Sequence, residues 1–558
     1  MVYKIWPLIS LPRSAPAYYS YLSEEKIKPG SLVKVTFRNK KVWGFCWGQD
    51  FNPPKIKLRP ILTICSEFIL SEWCLNALVE TAKIFLASPI NLASDLFTKW
   101  LSALKTPTLS AVVDNKQLVF DSEMKRVSRS DFAYLKNKIG AKKTLVLFPA
   151  TALAQSASQA DIFSNLNIQL LVGSENKSAL KNIWEKNNEH KINIIFGTRG
   201  ALFFPFTNLE QIIIWDCTNE CYQELDRAPY YDFVYLAQIV ARARKTKLLL
   251  AGPSLPILER AQKYARHELK IDQVVINHKM TAENPLSPSH LNYINECWQK
   301  NKIALVYHNH VAEKITAFCR DCQALVSNAV ICDYCHSHNL ASWPNINLNQ
   351  IRKQLATAFP KIKIAELSGA NKKITADKVT VILASVLIFT IPLPWKFRLG
   401  CVLLPSLASL AQKNNVSATA DIYGNLWQCY DLASSVRAKI VLGLNDKDLE
   451  DWSDLVNFDG EKKFWQKMLD DRKKFNYPPD VALLEFSLAK INPANEIALL
   501  FWLNQSLNWT LKKLPPTIHL APSQHLKLSQ NMTNLKTAAG LNLPKVTPAA
   551  YTQYYGLA

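Results

Sequence analysis

The sequence is short of glycine, and no glycine in it precedes a lysine. Only 15 of its 558 residues are glycine. A phosphate-binding loop of the form GxxxxGK[ST] is therefore absent. In such a loop, glycine N–H groups surround the phosphates of a nucleotide and the lysine reaches the terminal ones, and this sequence has no segment that could do both. Scarce glycine also predicts few tight turns with positive φ.

A membrane-spanning segment is also absent from the sequence pattern. The best apolar run, Val379 to Trp395, has no charge over 17 residues, but it contains prolines and is shorter than the ~20 residues of a span. It predicts a buried strand followed by a proline loop. The apolar stretch at the N-terminus is interrupted by a lysine and is too short for a signal peptide. We therefore expect a cytoplasmic protein with its 12 cysteines reduced.

Positive charge, in contrast, is in excess. Lysine and arginine number 66 against 45 aspartates and glutamates, which gives a net charge of +21. This excess favours a polyanionic partner, with nucleic acid as the first candidate and an anionic membrane surface as the second. Because the sequence has neither a span nor an anchor, we expect DNA and no membrane contact.

The hydropathy pattern predicts an α/β multidomain protein. Segments such as SLVKVTF alternate apolar and polar residues, as in a small β domain, and a helical pattern broken at Pro89 follows it like a winged-helix module. Short apolar strands then alternate with helix-length segments, which is typical of parallel sheets. A small C-terminal α+β domain ends the chain. The predicted domains are 1–65, 66–108, 109–280, 281–445 and 446–558.

Four cysteines carry the strongest chemical signal. They form two pairs, Cys319-x2-Cys322 and Cys332-x2-Cys335, within a predicted insertion over 317–340. Two such pairs bring four thiolates around one tetrahedral Zn²⁺ and stabilise a segment too small for its own core. The alternative is disulfide pairing, which the cytoplasm disfavours. A site closed by four cysteines is structural, so we predict one structural Zn²⁺ without a hydrolytic role.

The segment IIFGTRGALFFPFTNLEQIIIWDCTNE, residues 194–220, resembles a known family. Its GTRGALFFPF part is similar to the GTR-x-A-L-F-x-P-F segment of the primosomal protein N′ (PriA) replication-restart helicases, and RKKFNYPP at 472–479 resembles their R-x4-YPPF. The resemblance implies two RecA-like helicase lobes at 109–280 and 281–445, and a 3′ DNA-binding β domain at 1–65. It also implies that the zinc knuckle is the outer of the family's two zinc sites, in a region that contacts forks and helicase-loading proteins.

The same resemblance locates what is missing. The family's acidic DEEH box is replaced by DCTN, so that Asp216 alone survives and the carboxylate that would polarise the attacking water is lost. The segment DSEMKRVSRSDFAYL stands in place of the phosphate loop, and GPS in place of SATPS. Arg437 is the arginine left in the second lobe's QCYDLASSVR. We therefore predict no catalytic or nucleotide-binding residues and do not expect ATP as a cofactor.

The N-terminal β domain carries the predicted nucleic-acid site. FRNKKVWG resembles the family strand that binds the 3′ end of the nascent strand, with arginine at the family's glycine, and YSY stands where the family has Phe-Asp-Tyr. Lysines interleaved with rings offer charge to phosphates and flat faces to bases. The alternative is a solvated basic edge over an ordinary aromatic core. The predicted residues are Tyr19, Tyr21, Lys34, Arg38, Lys40, Lys41 and Trp43.

Three functions remain open at this point. The first is a PriA-like primosomal protein that binds branched or single-stranded DNA in replication restart, as an ATP-independent scaffold with primosome or helicase-loading partners. The second is an active ATP-dependent 3′ to 5′ helicase whose nucleotide site uses Lys125 and Lys143. The third is a protein-interaction module built on the zinc knuckle. The combined losses in the ATPase motifs favour an inactive helicase, which would not be an enzyme.

Overall fold

The structure is a computed structural model, and it describes most of the chain between several gaps. The described residues are 1–9, 11, 18–103, 121–224, 231–254, 273–275, 284–308, 317–320, 325–326, 330–332, 337–342, 348–367, 374, 379–407, 418–444, 460–485, 493–511, 517–531 and 545–547.

The N-terminal part is a five-stranded antiparallel sheet in the order β2-β1-β4-β3-β5. Alternation along its strands produces two apolar faces. One face forms a small core that includes Ile5, Val33 and Cys46. The other turns Trp6 and Phe45 toward the helices that follow. The strands are β1 (Val2–Pro7), β2 (Tyr19–Leu22), β3 (Ser31–Phe37), β4 (Lys40–Gln49) and β5 (Ile61–Ile69).

Two helices connect this sheet to the rest of the molecule. They are α1 (Glu72–Ile84) and α2 (Pro89–Ala103), and the proline that breaks the sequence pattern is the first residue of α2, where its missing N–H costs nothing. Phe97 of α2 meets Phe45 of the sheet edge to face at 5.4 Å and Phe203 of the next domain at 5.8 Å. The β sheet, the helices and the next domain therefore share one apolar core.

The first lobe is a six-stranded parallel sheet in the order β6-β13-β10-β7-β9-β8. Its central strands are buried on both faces, as parallel strands flanked by helices require. Asp131, Asn176 and Asp232 cap the helices α3, α5 and α6 with their side chains. The elements are β6 (Asp121–Arg126), α3 (Phe132–Ile139), β7 (Thr144–Leu147), α4 (Thr151–Ser158), β8 (Ile168–Leu171), α5 (Lys177–Asn188), β9 (Ile194–Gly197), β10 (Gln211–Trp215), β11 (Gln223–Glu224), β12 (Tyr231–Asp232), α6 (Phe233–Ala243) and β13 (Lys247–Gly252).

The second lobe repeats this architecture with the order β14-β22-β21-β15-β20-β19, again parallel throughout. A small antiparallel sheet, β17-β16-β18, is inserted after β15. The elements are β14 (Gln273–Val275), α7 (Pro288–Gln299), β15 (Ile303–Tyr307), β16 (Ala317–Cys319), β17 (Leu325–Val326), β18 (Leu340–Ser342), α8 (Leu348–Ala358), β19 (Ile364–Glu366), β20 (Val381–Ala384), β21 (Leu399–Leu404), α9 (Ala418–Ser434) and β22 (Lys439–Gly443).

The C-terminal part is a three-stranded antiparallel sheet, β24-β23-β25, with helices packed on it. Trp502 and Leu503 form its core together with Leu86, which follows α1, so this part docks on the N-terminal helices. The elements are α10 (Gly460–Lys474), β23 (Ala482–Glu485), α11 (Pro493–Leu507), β24 (Thr517–Leu520), α12 (Pro522–Gln530) and β25 (Lys545–Thr547).

The mixed α/β fold with two parallel sheets is as predicted, but three segments lie differently from the predicted boundaries. β5 continues to Ile69, four residues past 65. β14 pairs with β22 and so belongs to the second lobe, although it precedes residue 280. Helix α10 places Phe464 and Trp465 in the second lobe's core, not in the C-terminal core. The winged-helix interpretation of 66–108 stays a prediction, since residues 104–108 lie outside the described part.

The long apolar run at 379–395 forms the predicted buried strand, β20, and one short 3-10 turn, Val386–Thr390; a second such turn, Lys396–Arg398, follows the run. Within the described residues, no helix combines the length and the apolarity that crossing a membrane requires.

A buried histidine in α12 makes the stability of the C-terminal part pH-dependent. His525 is 0% exposed, and burial lowers its pKa from 6.5 to about 4. Between these two values the unfolded chain binds a proton that the native state excludes, so the free energy of unfolding falls with decreasing pH, by up to about 3 kcal/mol. Above pH 6.5 the effect disappears. Hydrogen-exchange protection of the α12 and β24 amides, followed from pH 7 to pH 5, measures it.

The slope of protection against pH, rather than protection itself, is the quantity to compare between variants. We expect His525→Gln to flatten this slope, since the titrating group is gone. His519→Gln, which removes a half-buried histidine of β24, is the matched control and should keep it. An unchanged slope in His525→Gln would contradict the assignment.

Candidate functional site

The tip of the β3–β4 hairpin brings three predicted site residues together. Arg38 and Asn39 form its two-residue turn with φ of +46° and +63°, the left-handed conformation typical of a type I′ hairpin. The guanidinium carbon of Arg38 lies 5.7 Å from the ring centre of Phe37, and Tyr19 meets the same ring edge to face at 4.8 Å. Tyr21 donates a hydrogen bond to the carbonyl of Thr36 at 3.1 Å.

Both tyrosines keep their protons at neutral pH. Burial raises the pKa of Tyr19, with Arg38 opposing, and raises the pKa of Tyr21 to about 12, with Arg59 opposing. Between them in sequence, Ser20 donates to the buried carboxylate of Asp50 at 2.6 Å. The tip thus presents an exposed guanidinium beside the half-buried Tyr19, whereas Tyr21 is buried, at 4% exposure, with its hydroxyl bonded within the chain.

The remaining predicted residues divide between the tip and the body of the sheet. Lys40 and Lys41 are exposed directly after the turn. Lys34 and Trp43 are paired across β3 and β4, with the Lys34 Nζ 5.3 Å from the Trp43 ring centre, and both are half-buried. They lie along the strands rather than at the tip, and Trp43 packs partly against the shared core.

Sequence reasoning missed the loop between β4 and β5. Its residues Lys55, Lys57 and Arg59 are exposed, and the Arg59 guanidinium lies 3.4 Å from the side-chain oxygen of Asn39 in the hairpin turn. The loop therefore adds positive charge beside the tip. The alternation of basic residues in KIKLR was a usable signal for it.

A second missed cluster lies on β1 and β4. The Lys4 Nζ is 4.8 Å from the ring centre of Tyr18 and 5.6 Å from that of Trp47, and Trp47 stacks on Trp6 at 5.5 Å. Tyr18 and Trp47 are half-buried. This cluster extends the cation and ring pattern of the hairpin across the same sheet.

The segment expected in place of a phosphate loop is short, and an aspartate of the segment caps the helix that follows it. The residues DSEMKR, expected in a loop, form strand β6. Only residues 127–131 therefore connect β6 to α3. Asp131 caps α3, accepting from the Tyr134 N–H at 2.9 Å. A helix N-terminus of this kind attracts a phosphate, but here a carboxylate of the chain occupies it.

Asp216 lies at the end of β10 and is buried, at 1% exposure. Its carboxylate accepts hydrogen bonds from Gln428 Nε2 at 2.7 Å and from Asn219 Nδ2 at 2.9 Å, and an Arg129 nitrogen lies 3.9 Å away. Burial raises the pKa of this carboxyl, with Arg129 as the largest opposing influence. Its φ is +58°. The surviving acidic residue is thus surrounded by side chains of the chain itself.

The neighbours of Asp216 explain why a glycine persists at the end of β13. A Cβ on Gly252 would lie 3.1 Å from the Asp216 Cα and from the Cys217 nitrogen, so a side chain there would require these strand ends to move apart by a few tenths of an ångström. The hydroxyl of Thr218 lies 2.6 Å from that of Ser254. The GPS turn and the DCTN segment therefore contact each other directly.

Arginines of the first lobe reach the second lobe across this cleft. Arg129 interacts with Asp431 through its backbone N–H at 3.3 Å and its Nε at 3.6 Å. Arg126 donates to the Tyr423 hydroxyl at 2.8 Å. Arg437 does not take this position, since it is exposed in the turn after α9. Among the described residues, the guanidinium groups that cross this cleft belong to Arg126 and Arg129 of the first lobe.

The two lysines of the alternative nucleotide site lie at opposite ends of the strands of the parallel sheet. Lys125 is exposed near the carboxyl end of β6. Lys143 directly precedes β7, and its backbone N–H is bound by Glu210 at 3.0 Å. Ligands of parallel α/β sheets bind at the carboxyl ends of the strands. Lys143 lies at the amino end of β7 and is therefore badly placed to bind a phosphate.

Two of the four predicted zinc ligands are described. Cys319 and Cys332 are both 0% exposed and share one apolar cluster with Ala317. The other two predicted ligands, Cys322 and Cys335, lie outside the described residues. In the part of the chain that the structure describes, no group of three or more His, Cys, Asp or Glu side chains is placed to hold a metal.

The chain is similar in sequence to known proteins. Residues 8–95 match the family of PriA 3′ DNA-binding domains. Replication restart protein PriA of Helicobacter pylori strain J99 is 23% identical over an alignment that covers 88% of each chain. PriA of Rickettsia prowazekii is 22% identical over 67% of this chain and 68% of the relative. The resemblance to the PriA family is therefore confirmed.

Solved structures were also similar in part. RecG bound to a three-way DNA junction is 14% identical and aligns with 72% of this chain and 47% of its own, with a TM-score of 0.37. Mss116p bound to single-stranded RNA and AMP-PNP is 14% identical over 64% of this chain and 70% of its own, with a TM-score of 0.37.

Proposed function

We propose that this chain is a PriA-like protein that binds branched or single-stranded DNA in replication restart and does so without ATP hydrolysis. The observation that carries the DNA-binding part is the hairpin tip, where exposed Arg38 lies over the Phe37 ring inside the segment that matches PriA 3′ DNA-binding domains. The two degenerate helicase lobes then form a frame for this domain.

The chemistry of the tip suits a nucleic-acid end. Arg38, Lys40, Lys41 and Arg59 supply positive charge on neighbouring turns, and the half-buried ring of Tyr19 supplies apolar surface beside them. Charge neutralisation of phosphates supplies affinity, and each base stacked on an aromatic side chain contributes about 1–3 kcal/mol. Arg38 replaces a small residue of the family, so we propose that it contacts a phosphate.

The cleft between the lobes supports the ATP-independent part of the proposal. Its candidate anion position at α3 is capped by Asp131, and the carboxylate of Asp216 is engaged by Gln428 and Asn219. A Mg²⁺–nucleotide complex needs the acid and the helix N-terminus for itself. Binding of ATP would have to displace all of these contacts.

We further propose that one structural Zn²⁺ is held by Cys319, Cys322, Cys332 and Cys335. The two buried thiols in one cluster fit a tetrahedral thiolate site. When bound, the ion would hold the inserted β16–β18 sheet together. This insertion is the surface that we propose for primosome or helicase-loading proteins, and a pure protein-interaction role for it remains the alternative to DNA binding.

DNA binding at the hairpin tip is measured by fluorescence anisotropy with a labelled fork carrying a 3′ end, from 50 to 300 mM salt. We expect log K to fall linearly with log salt, by about 0.9 for each phosphate contacted on duplex DNA. Arg38→Ala should weaken binding several-fold and reduce the slope by about 1, since one phosphate contact is lost.

The matched control is Lys361→Ala, which removes one exposed positive charge from the second lobe and should leave both values unchanged. Tyr19→Ala should weaken binding at every salt concentration without changing the slope, and Tyr19→Phe should retain it. Salt-insensitive binding, or no binding to forks, contradicts the proposal.

ATP independence is tested with the same fork. Binding isotherms with and without Mg²⁺–ATP should superimpose, and saturating fork DNA should produce no ATP hydrolysis above that of an Asp216→Asn preparation purified in parallel. Any contaminating ATPase is common to both preparations. DNA-stimulated hydrolysis that Asp216→Asn abolishes would establish the active helicase instead.

Zinc content is measured by elemental analysis of the purified chain. We expect one Zn²⁺ per chain, and its loss in Cys319→Ser and in Cys332→Ser, because a thiolate is replaced by a poor ligand. Cys65→Ser, which changes a half-buried cysteine of β5, should keep the ion. Zinc-free wild-type protein, or retention in both ligand variants, would rule the site out.

A further inference from the structure

We propose that an interlobe clamp holds the two lobes in one fixed arrangement in the absence of any nucleotide. The clamp consists of Arg126, Arg129, Asp216 and Asn219 from the first lobe and Phe389, Tyr423, Trp427, Gln428 and Asp431 from the second. It goes beyond the proposed function, because it would hold the lobes whether or not the chain binds DNA.

The polar contacts of the clamp run in both directions. From the first lobe, Arg129 interacts with Asp431, and Asn219 Nδ2 donates to the carbonyl of Phe389 at 3.1 Å. From the second lobe, Gln428 Nε2 donates to Asp216 at 2.7 Å. Each lobe therefore supplies both donors and acceptors, and separating the lobes would leave polar groups of both without partners.

Stacking of the two arginines on aromatic rings adds to these bonds. The guanidinium carbon of Arg126 lies 4.2 Å from the Trp427 ring centre, and that of Arg129 lies 4.9 Å from the Phe389 ring centre. Arg126 also donates to Tyr423 at 2.8 Å. A planar guanidinium can stack and donate hydrogen bonds together, which a lysine cannot do.

The clamp is shielded from solvent, so salt and water do not weaken it as they weaken surface ion pairs. Asp216 is 1% exposed, Trp427 4% and Gln428 4%. The side chains of Arg129 and Asp431 are 16% and 10% exposed. Arg129 lies within 3.9 Å of Asp216 and 3.6 Å of Asp431, so both carboxylates have a cation of the chain beside them.

This arrangement is unlike a site that opens and closes with its ligand. A ligand shifts a conformational equilibrium only by its differential affinity for the two states. In this chain the groups that join the lobes belong to the chain and are always present. We therefore infer that the arrangement of the lobes is set by the fold itself, because the described groups that join them already bind one another.

The test measures the distance between the lobes in the full-length protein. Donor and acceptor dyes are attached through noncanonical amino acids at the exposed positions Lys186 and Lys353, and single-molecule energy transfer is recorded without DNA. We expect one narrow population in wild type that Mg²⁺–ATP does not change. Arg129→Ala should populate an open state at least about tenfold more, because it leaves buried Asp216 and Asp431 without their cation.

The matched control is Arg352→Ala, which breaks an arginine–glutamate ion pair of 2.8 Å within the second lobe. It should leave the distribution as in wild type. Tyr423→Phe keeps the ring and removes the hydroxyl bound by Arg126, so it should open the lobes less than Arg129→Ala. This mild variant and the wild-type arm decide the question if Arg129→Ala does not fold.

Two interconverting populations in wild type, or a shift caused by Mg²⁺–ATP, would overturn the clamp. So would an Arg129→Ala or Tyr423→Phe distribution identical to that of Arg352→Ala. Since no arm contains DNA, a failure of fork binding leaves the clamp result unaffected, and a mobile interlobe cleft would leave the DNA-binding result unaffected.

Discussion

The buried carboxylate of Asp216 is the constraint on which the relation between the lobes depends. A charge removed from water is stable only with hydrogen bonds or a counter-charge, and this one receives hydrogen bonds from Asn219 in its own lobe and from Gln428 in the other. Gly252 permits the close approach of strand ends that buries it. Placing the second lobe against the first is thus part of what makes the burial of Asp216 tolerable.

Arginine has two separate uses in this chain. In the cleft, Arg126 binds the Tyr423 hydroxyl and stacks on Trp427, and Arg129 pairs with Asp431 and stacks on Phe389. On the N-terminal hairpin, Arg38 is exposed, and the one contact described for its guanidinium is with the Phe37 ring. Only the second kind of arginine remains available to a polyanion. The net charge of +21 therefore indicates the class of partner, while burial decides which cations can meet it.

Sequence patterns predicted the elements whose causes are local. The apolar strands of both parallel sheets, the alternation of SLVKVTF and the break at Pro89 all appear in the structure. β6 was not predicted, because DSEMKR is polar and lies at a sheet edge, where burial is one-sided. The left-handed turn at Arg38 and Asn39 was also missed, since a hairpin turn without glycine has a weak sequence signal.

The contacts that define the cleft lay beyond any local pattern. Arg129 and Asp431 are 302 residues apart in sequence, and Asp216 and Gln428 are 212 apart. The loss of the ATPase motifs stays a prediction from the resemblance, and Arg437, the arginine left in the second lobe's segment, is exposed after α9. Loss of a motif identifies which positions are free to change, but only the fold reveals what the new side chains touch. Here the described side chains at the end of β10 and after β6 contact those of the second lobe, so this part of the cleft is an internal contact surface.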